Sequence, residues 1–455
     1  MENNLAFPKK PYRTHGGVHV PHRKNTAGKM SIEMTDVKTV TIPMAQHIGA
    51  PCTPTVKVGD YVKVGQVIGD STAFVSAPIH SSVSGVVKKI DKVLTLNGTK
   101  VDAVTIESDG EMTVFEGIKP PVVNNLSDLL KAARDCGLVG LGGAGFPTHV
   151  KLNIPKDKNV DTLIINLAEC EPYITADHRE VVENSWGVMS GIYTLKEILG
   201  IKRVIVGIEN NKPDAIEILK NIAKHEKDKH GEIGILPLKA SYPYGAEKVL
   251  IKACTNRVVP MGKLPSDAGC LVMNVASVAF LSEYLKTGMP LTKRRVTVDG
   301  DAIKNPTNVI VPIGTSIKEI IDFTGGYSTE PKKIILGGPM MGASVSDDSL
   351  FIAKQNNAIL CFSEKEAKLS EPSACIRCGK CVSACPMNLV PTKICGAVNQ
   401  KSVEGMLSAD IMNCMECGCC AFSCPAHRPL VNNIRYGKQI INNEKKRQIP
   451  LKEGK

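Results

Sequence analysis

The chain has 455 residues, 43% hydrophobic and 4% aromatic, with 39 glycines, which fits a loop-rich globular protein of about three domains and excludes a disordered one. Lys and Arg total 56 against 45 Asp and Glu, a net charge of +11 that, without aromatic interleaving, does not call for nucleic acid. The longest apolar run, residues 268–281, carries Asn274 and Ser277 and falls short of the ~18 residues of a membrane helix, so the chain is expected to be soluble or held to a membrane by partners.

Residues 1–30 hold Lys9, Lys10, Arg13, Arg23, Lys24 and Lys29 against the single acid Glu2, and the tail, 441–455, holds Lys445, Lys446, Arg447, Lys452 and Lys455. Both ends read either as solvated or as docking onto an acidic partner or an anionic membrane surface. Residues 1–13 lack the apolar core of a signal peptide. His15, His19 and His22 are irregularly spaced, as solvated loop histidines are. Residues 37–106 read as short alternating strands with glycine turns, clearest in 56–68 and 77–87. These runs resemble the flattened β-barrel of biotinyl and lipoyl carrier domains. A carrier offers a lysine at a hairpin tip, and none stands between Lys63 and Lys88, which leaves an adaptor or docking role.

The period then changes. Residues 125–136 read as an amphipathic helix running into Gly137, Gly140, Gly142, Gly143 and Gly145, a loop whose backbone can approach a phosphate or a ring. A tight loop with no ligand has the same composition. Apolar strands follow at 161–166 and 203–208, with a helix at 213–225, an alternation that gives a parallel sheet covered by helices. Asn166, Glu169, Cys170 and Glu171 stand at the carboxyl end of the first strand, where such sheets place a ligand. Tyr242, Gly245, Glu247 and residues 272–275 are read as loops adding polar groups. Strands return at 295–300, 309–314 and 333–336, with a helix at 316–323.

Eight of the 16 cysteines form two copies of one pattern: Cys375, Cys378, Cys381, Cys385 before Pro386, and Cys414, Cys417, Cys420, Cys424 before Pro425. This is the run of bacterial ferredoxins, in which three thiolates hold one cluster and the fourth reaches the other. The expected ligand sets are Cys375, Cys378, Cys381 with Cys424, and Cys414, Cys417, Cys420 with Cys385. Structural zinc prefers two separated ligand pairs, often with histidine, and disulfides need an oxidising compartment; neither fits. Cys419 reads as a bystander, and Cys52, Cys136, Cys170, Cys254, Cys270, Cys361 and Cys395 as small buried apolar residues.

Residues 140–148 with Lys151, then Asn166, Glu169, Glu171, Pro172, then Tyr242, Gly245, Glu247 and Asn274, resemble the flavin and NADH site of the flavoprotein subunit of respiratory complex I. With the β-barrel ahead and two ferredoxin motifs behind, nearly the whole chain is similar to the RnfC family of Rnf electron-transport complexes. That resemblance implies a multidomain α/β plus β chain. It comprises a basic arm with a barrel-sandwich, lipoyl-like domain (1–118), a Rossmann-like parallel α/β domain for FMN and NADH (119–290), an SLBB-like β-grasp module (291–352), a helical two-cluster ferredoxin-like domain (353–440) and the tail. It implies that Gly140, Gly142, Gly143 and Gly145 border FMN and the nicotinamide, that Lys151 and Asn166 contact the flavin, and that Phe146 stacks on adenine. Glu169, Glu171, Tyr242, Gly245, Glu247 and Asn274 would line the same cavity. Ala168 and Ala246 stand where the complex I pattern has acids.

The implied cofactors are two 4Fe-4S clusters, non-covalent FMN and NAD(H), arranged as a wire that matches a hydride's two electrons to centres accepting one. The implied partners are other subunits of a membrane Rnf-type complex, including an iron–sulfur subunit that exchanges electrons with ferredoxin, with this chain peripheral on the cytoplasmic face. The alternatives are an electron relay or scaffold without its own flavin, and a soluble flavin or cobalamin reductase of related architecture.

Overall fold

The computed structural model describes residues 6–95 and 98–448; Glu2, Lys452 and Lys455 lie outside them. Four parallel strands form the central sheet in the spatial order Ile233–Leu238, Arg203–Glu209, Thr162–Leu167, Cys270–Asn274. Arg203–Glu209 is buried along its whole length, as an inner parallel strand covered on both faces must be. Helices Leu126–Asp135, Ser185–Leu199, Pro213–His225 and Val275–Thr287 contribute to the core on one face, and Glu247–Thr255 to the core on the other. Leu126–Asp135 starts where the Asn125 side chain accepts from Asp128 N, and it buries Leu129, Ala132 and Ala133, the i, i+3, i+4 spacing of an inward stripe.

Strand order reverses between Thr162–Leu167 and Cys270–Asn274: the first two connections run one way across the sheet and the last returns to the opposite side. Such a switch point opens a crevice at the carboxyl ends of the two strands. Two sequence expectations are corrected here. Residues 272–275 are not loop: Cys270–Asn274 is a sheet strand, and helix Val275–Thr287 follows at once with Asn274 as its cap. The β-grasp sheet does not end at 352, because Ala358–Phe362 lies inside it, parallel to Lys293–Asp299 and antiparallel to Lys333–Leu336.

The barrel strands, from Thr39–Pro43 to Lys100–Ser108, do not stand apart from the β-grasp module. Val40, Ile42, Val104 and Ile106 share one core with Val296, Val309, Ile317 and Ile359. Thr41 N donates to Gly314 O at 2.9 Å across the join.

The basic arm is neither free nor wholly solvated. Arg203 donates to Ala6 O, Tyr12 N to Ala253 O, Val18 pairs with Tyr242, and Gly17 N donates to Ala384 O at 3.0 Å. Strand Ile32–Glu33 then joins the β-grasp sheet beside Thr307–Pro312. The arm therefore runs along the α/β domain and passes between it and the cysteine-rich domain. Lys9, Lys10, Arg13, His15 and His19 stay exposed, while Lys24 turns inward.

Candidate functional site

At the switch point Asn166 and Asn274 are register partners on adjacent strands. Asn166 Nδ2 donates to Gly245 O at 2.8 Å, and its Oδ1 accepts from Ala168 N. Asn274 caps the following helix through Ala276 N and Ser277 N, and its Nδ2 donates to Asp177 Oδ2 at 2.7 Å. The glycine loop lies directly over this pair: Leu141 N donates to Ser277 Oγ at 3.0 Å, and a Cβ on Gly142 would come within 3.0 Å of Asn274 Nδ2. Gly142, Gly143 and Ala144 are exposed, and a Cβ on Gly143 would meet nothing within 4 Å. Gly143 and Gly145 have φ of +132° and +65°, conformations that glycine supplies without strain. Gly140 closes the loop through Gly145 N and Phe146 O, and Phe146 is half-buried. Lys151 and Glu247 form an ion pair of 2.8 Å at the rim. Exposed glycine backbone above two amide side chains, with a charged pair beside it, fits a flavin and its phosphate.

Three predicted residues face elsewhere. The Glu169 carboxylate accepts from Asp177 N at 2.6 Å and His178 N at 3.3 Å, capping helix Ala176–Glu183. The Glu171 carboxylate accepts from Met340 N and Met341 N at 3.0 and 2.9 Å, tying the loop to the β-grasp module. Burial pushes each of these carboxyls up to about 7. Tyr242 is 1% exposed, and its hydroxyl donates to Cys417 O at 2.7 Å. Of the three, Tyr242 bonds the cysteine-rich domain directly, Glu171 the β-grasp module and Glu169 the helix whose Asp177 holds Asn274.

In the cysteine-rich domain Cys385, Cys414, Cys417, Cys419 and Cys420 line one pocket, walled elsewhere by residues that include Met387, Leu389, Ile394, Met415, Val431 and Ile434. The cavity fits a cluster, whose thiolates sit at separate corners; among the described residues no three donors converge as a single metal ion requires. Cys375 and Cys424 lie near enough to Cys381 to push its thiol up through their charge, after burial as the main cause. Cys385 thus stands with Cys414, Cys417 and Cys420, and Cys381 with Cys375 and Cys424. The two groups differ in exposure: Cys375 and Cys378 are exposed, whereas Cys385, Cys417 and Cys420 are buried. The enclosed set is also the one touching the α/β domain, in a cluster of Cys170, Tyr242, Met340, Cys417 and Cys419.

The sequence reading missed several participants. Cys170, placed by sequence at the ligand end of its strand but read as a small buried apolar residue, is half-buried and accepts from Gly245 N at 3.3 Å. Asp177 and Ser277 support Asn274 and the glycine loop. Lys24 donates to Glu169 O, Glu171 O and Ile174 O at 2.8, 2.9 and 2.6 Å.

Family models match in the order of these domains: RnfC barrel sandwich hybrid domain (12–111), Nuo51 FMN-binding domain (133–283), SLBB domain (295–344) and 4Fe-4S dicluster domain (367–447). The C subunit of the Na(+)-translocating ferredoxin:NAD(+) oxidoreductase complex of Acetobacterium woodii is 43% identical, over 94% of this chain and 96% of that protein. The C subunit of the proton-translocating ferredoxin:NAD(+) oxidoreductase complex of Clostridium ljungdahlii is also 43% identical, over 92% of each. The chain belongs to this RnfC family. An NAD+-reducing NiFe hydrogenase has the same fold over part of its length, with a TM-score of 0.51 at 16% identity, covering 68% of this chain and 63% of that one. The cofactors of these RnfC domains are FMN and 4Fe-4S clusters, and the chain is an electron-transfer subunit. Among the described residues no helix is long and apolar enough to cross a membrane.

Proposed function

We infer that this chain is the NAD-facing subunit of an ion-translocating complex, on the cytoplasmic face, passing electrons between NAD(H), FMN, the enclosed cluster, the exposed cluster and a neighbouring subunit. The observation that carries the order is the Tyr242 hydroxyl donating to Cys417 O, which joins the wall of the flavin cleft to the loop of the enclosed cluster set. Asn166, Asn274 and the glycines from Gly140 to Gly145 hold and orient the flavin, Lys151 neutralises its phosphate beside Glu247, and Phe146 receives the adenine. Cys385, Cys414, Cys417 and Cys420 hold the inner cluster; Cys375, Cys378, Cys381 and Cys424 hold the outer one, where exposed thiols let a partner approach. Bound there, FMN would supply hydride exchange with NAD(H), chemistry that would require no side-chain acid or base from this chain. Glu169 and Glu171 suit that reading, since main-chain amides already occupy their carboxylates. Relatives named for sodium and for proton translocation are equally similar, at 43% identity, as expected if the ion pathway lies in other subunits.

Anaerobic reconstitution followed by cofactor analysis tests the assignment. We expect about eight irons and one FMN per chain, with NADH bleaching both chromophores. About eight irons with no flavin would instead support the relay reading.

A further inference from the structure

Lys24 stands out among the basic residues of the arm because its ammonium meets only main-chain oxygens of one short loop, at 2.8, 2.9 and 2.6 Å. The ionisable groups facing it are His22, Glu169, Cys170, Glu171, Glu209 and Lys212, of which Glu209 and Lys212 are themselves an ion pair. The loop it grips contains Glu169 and Tyr173, non-glycine residues at φ +38° and +69°, a conformation that persists only when its surroundings impose it. The loop also touches both redox sites. Through Glu169 and Asp177 it reaches Asn274 on the flavin side. Through Glu171 it holds Met340 and Met341, and a Cβ on Gly418, beside the ligand Cys417, would lie 3.1 Å from Met340 O. The arm does not need Lys24 in order to dock, since Tyr12, Gly17 and Val18 attach it elsewhere; beside Lys24, Tyr173 N donates to His22 O and Thr26 bonds Thr175 at the end of the loop.

We propose that Lys24 is a positioning residue that clamps residues 169–174 between the flavin site and the cluster held by Cys385, Cys414, Cys417 and Cys420, fixing the separation of those two centres. The proposal rests on the electron-transfer reading above. Electron tunnelling falls exponentially with distance, whereas hydride transfer depends on how the nicotinamide lies on the flavin; the clamp therefore acts on the second step and leaves the first alone. Removing the ammonium strands three carbonyls without a donor.

Three proteins are compared: wild type, Lys24→Met, and Lys29→Met, whose parent lysine on the same arm bonds Pro306 O away from the loop. In anaerobic stopped flow with NADH, flavin bleaching in Lys24→Met is expected at the wild-type rate, and cluster bleaching slower by about tenfold or more. Amide exchange at 170–178 and 339–342, read without substrate, is expected to speed up about tenfold. Lys29→Met should match wild type in both. If Lys24→Met leaves both phases and the exchange unchanged, or slows both phases equally, the proposal is overturned. Should Lys24→Met lose its cofactors, Lys24→Gln takes its place, and cofactor loss in both variants would also contradict a role in spacing. A wild type whose clusters NADH does not bleach would defeat the functional reading instead, and amide exchange alone would then decide the clamp.

Discussion

Buried ionisable groups in this chain are held by specific neighbours, and His80 shows a consequence. It is 4% exposed, its Nδ1 has no partner among the described residues, and burial, followed by the charge of Lys354, lowers its pKa from 6.5 to about 3. The unfolded chain therefore takes up a proton that the fold refuses. The stability this represents is complete above about pH 6.5 and drains away as the pH falls towards the folded value, by at most ~1.4 kcal/mol per unit. The denaturation midpoint of wild type should fall between about pH 7 and pH 5, and that of His80→Gln should fall less. Equal slopes would show that His80 titrates normally. Asn166 was legible as the polar end of an apolar strand, whereas Asn274 was read as loop and entered the site only through the resemblance. Lys24 was not legible, because nothing in a basic arm announces that its acceptors lie about 150 positions away.

Among elements, strands with alternation or flanking turns were readable, and those without were lost. Cys270–Asn274 runs into its helix with no turn residue between them. Ala358–Phe362 is as fully buried as Arg203–Glu209, but among the described residues no further strand follows it before the cysteine runs to mark it as part of a sheet. The arm is the element whose role changed most between sequence and structure. Its passage past the cluster domain is tight: Gly16 has φ +60°, and a Cβ there would lie 2.7 Å from the Cys385 carbonyl carbon. Gly16→Ala should therefore combine an unfavourable backbone conformation, ~1 kcal/mol or more, with a main-chain clash. We expect lower iron retention and faster tryptic cleavage of the arm after Lys9 and Arg13. Unchanged iron content and cleavage would mean that the arm does not bear on the cluster domain.

At the scale of the molecule, domain order was legible because each domain has its own signature: glycine-punctuated alternation, a glycine loop before parallel strands, and two cysteine runs. How the domains join was not, since the shared core of barrel and β-grasp is built from ordinary valines and isoleucines that fit either module alone. The join matters for function. Cys417 and Cys419 pack against Tyr242 and Cys170 of the α/β domain while Cys375 and Cys378 are exposed, so in the proposed function the inner cluster would be an obligatory relay. Cys414→Ala, reconstituted anaerobically and mixed with NADH in stopped flow, tests this most directly. The account predicts that its flavin bleaches as in wild type while the cluster of Cys375, Cys378, Cys381 and Cys424 stays oxidised; reduction of that cluster at the wild-type rate would contradict it.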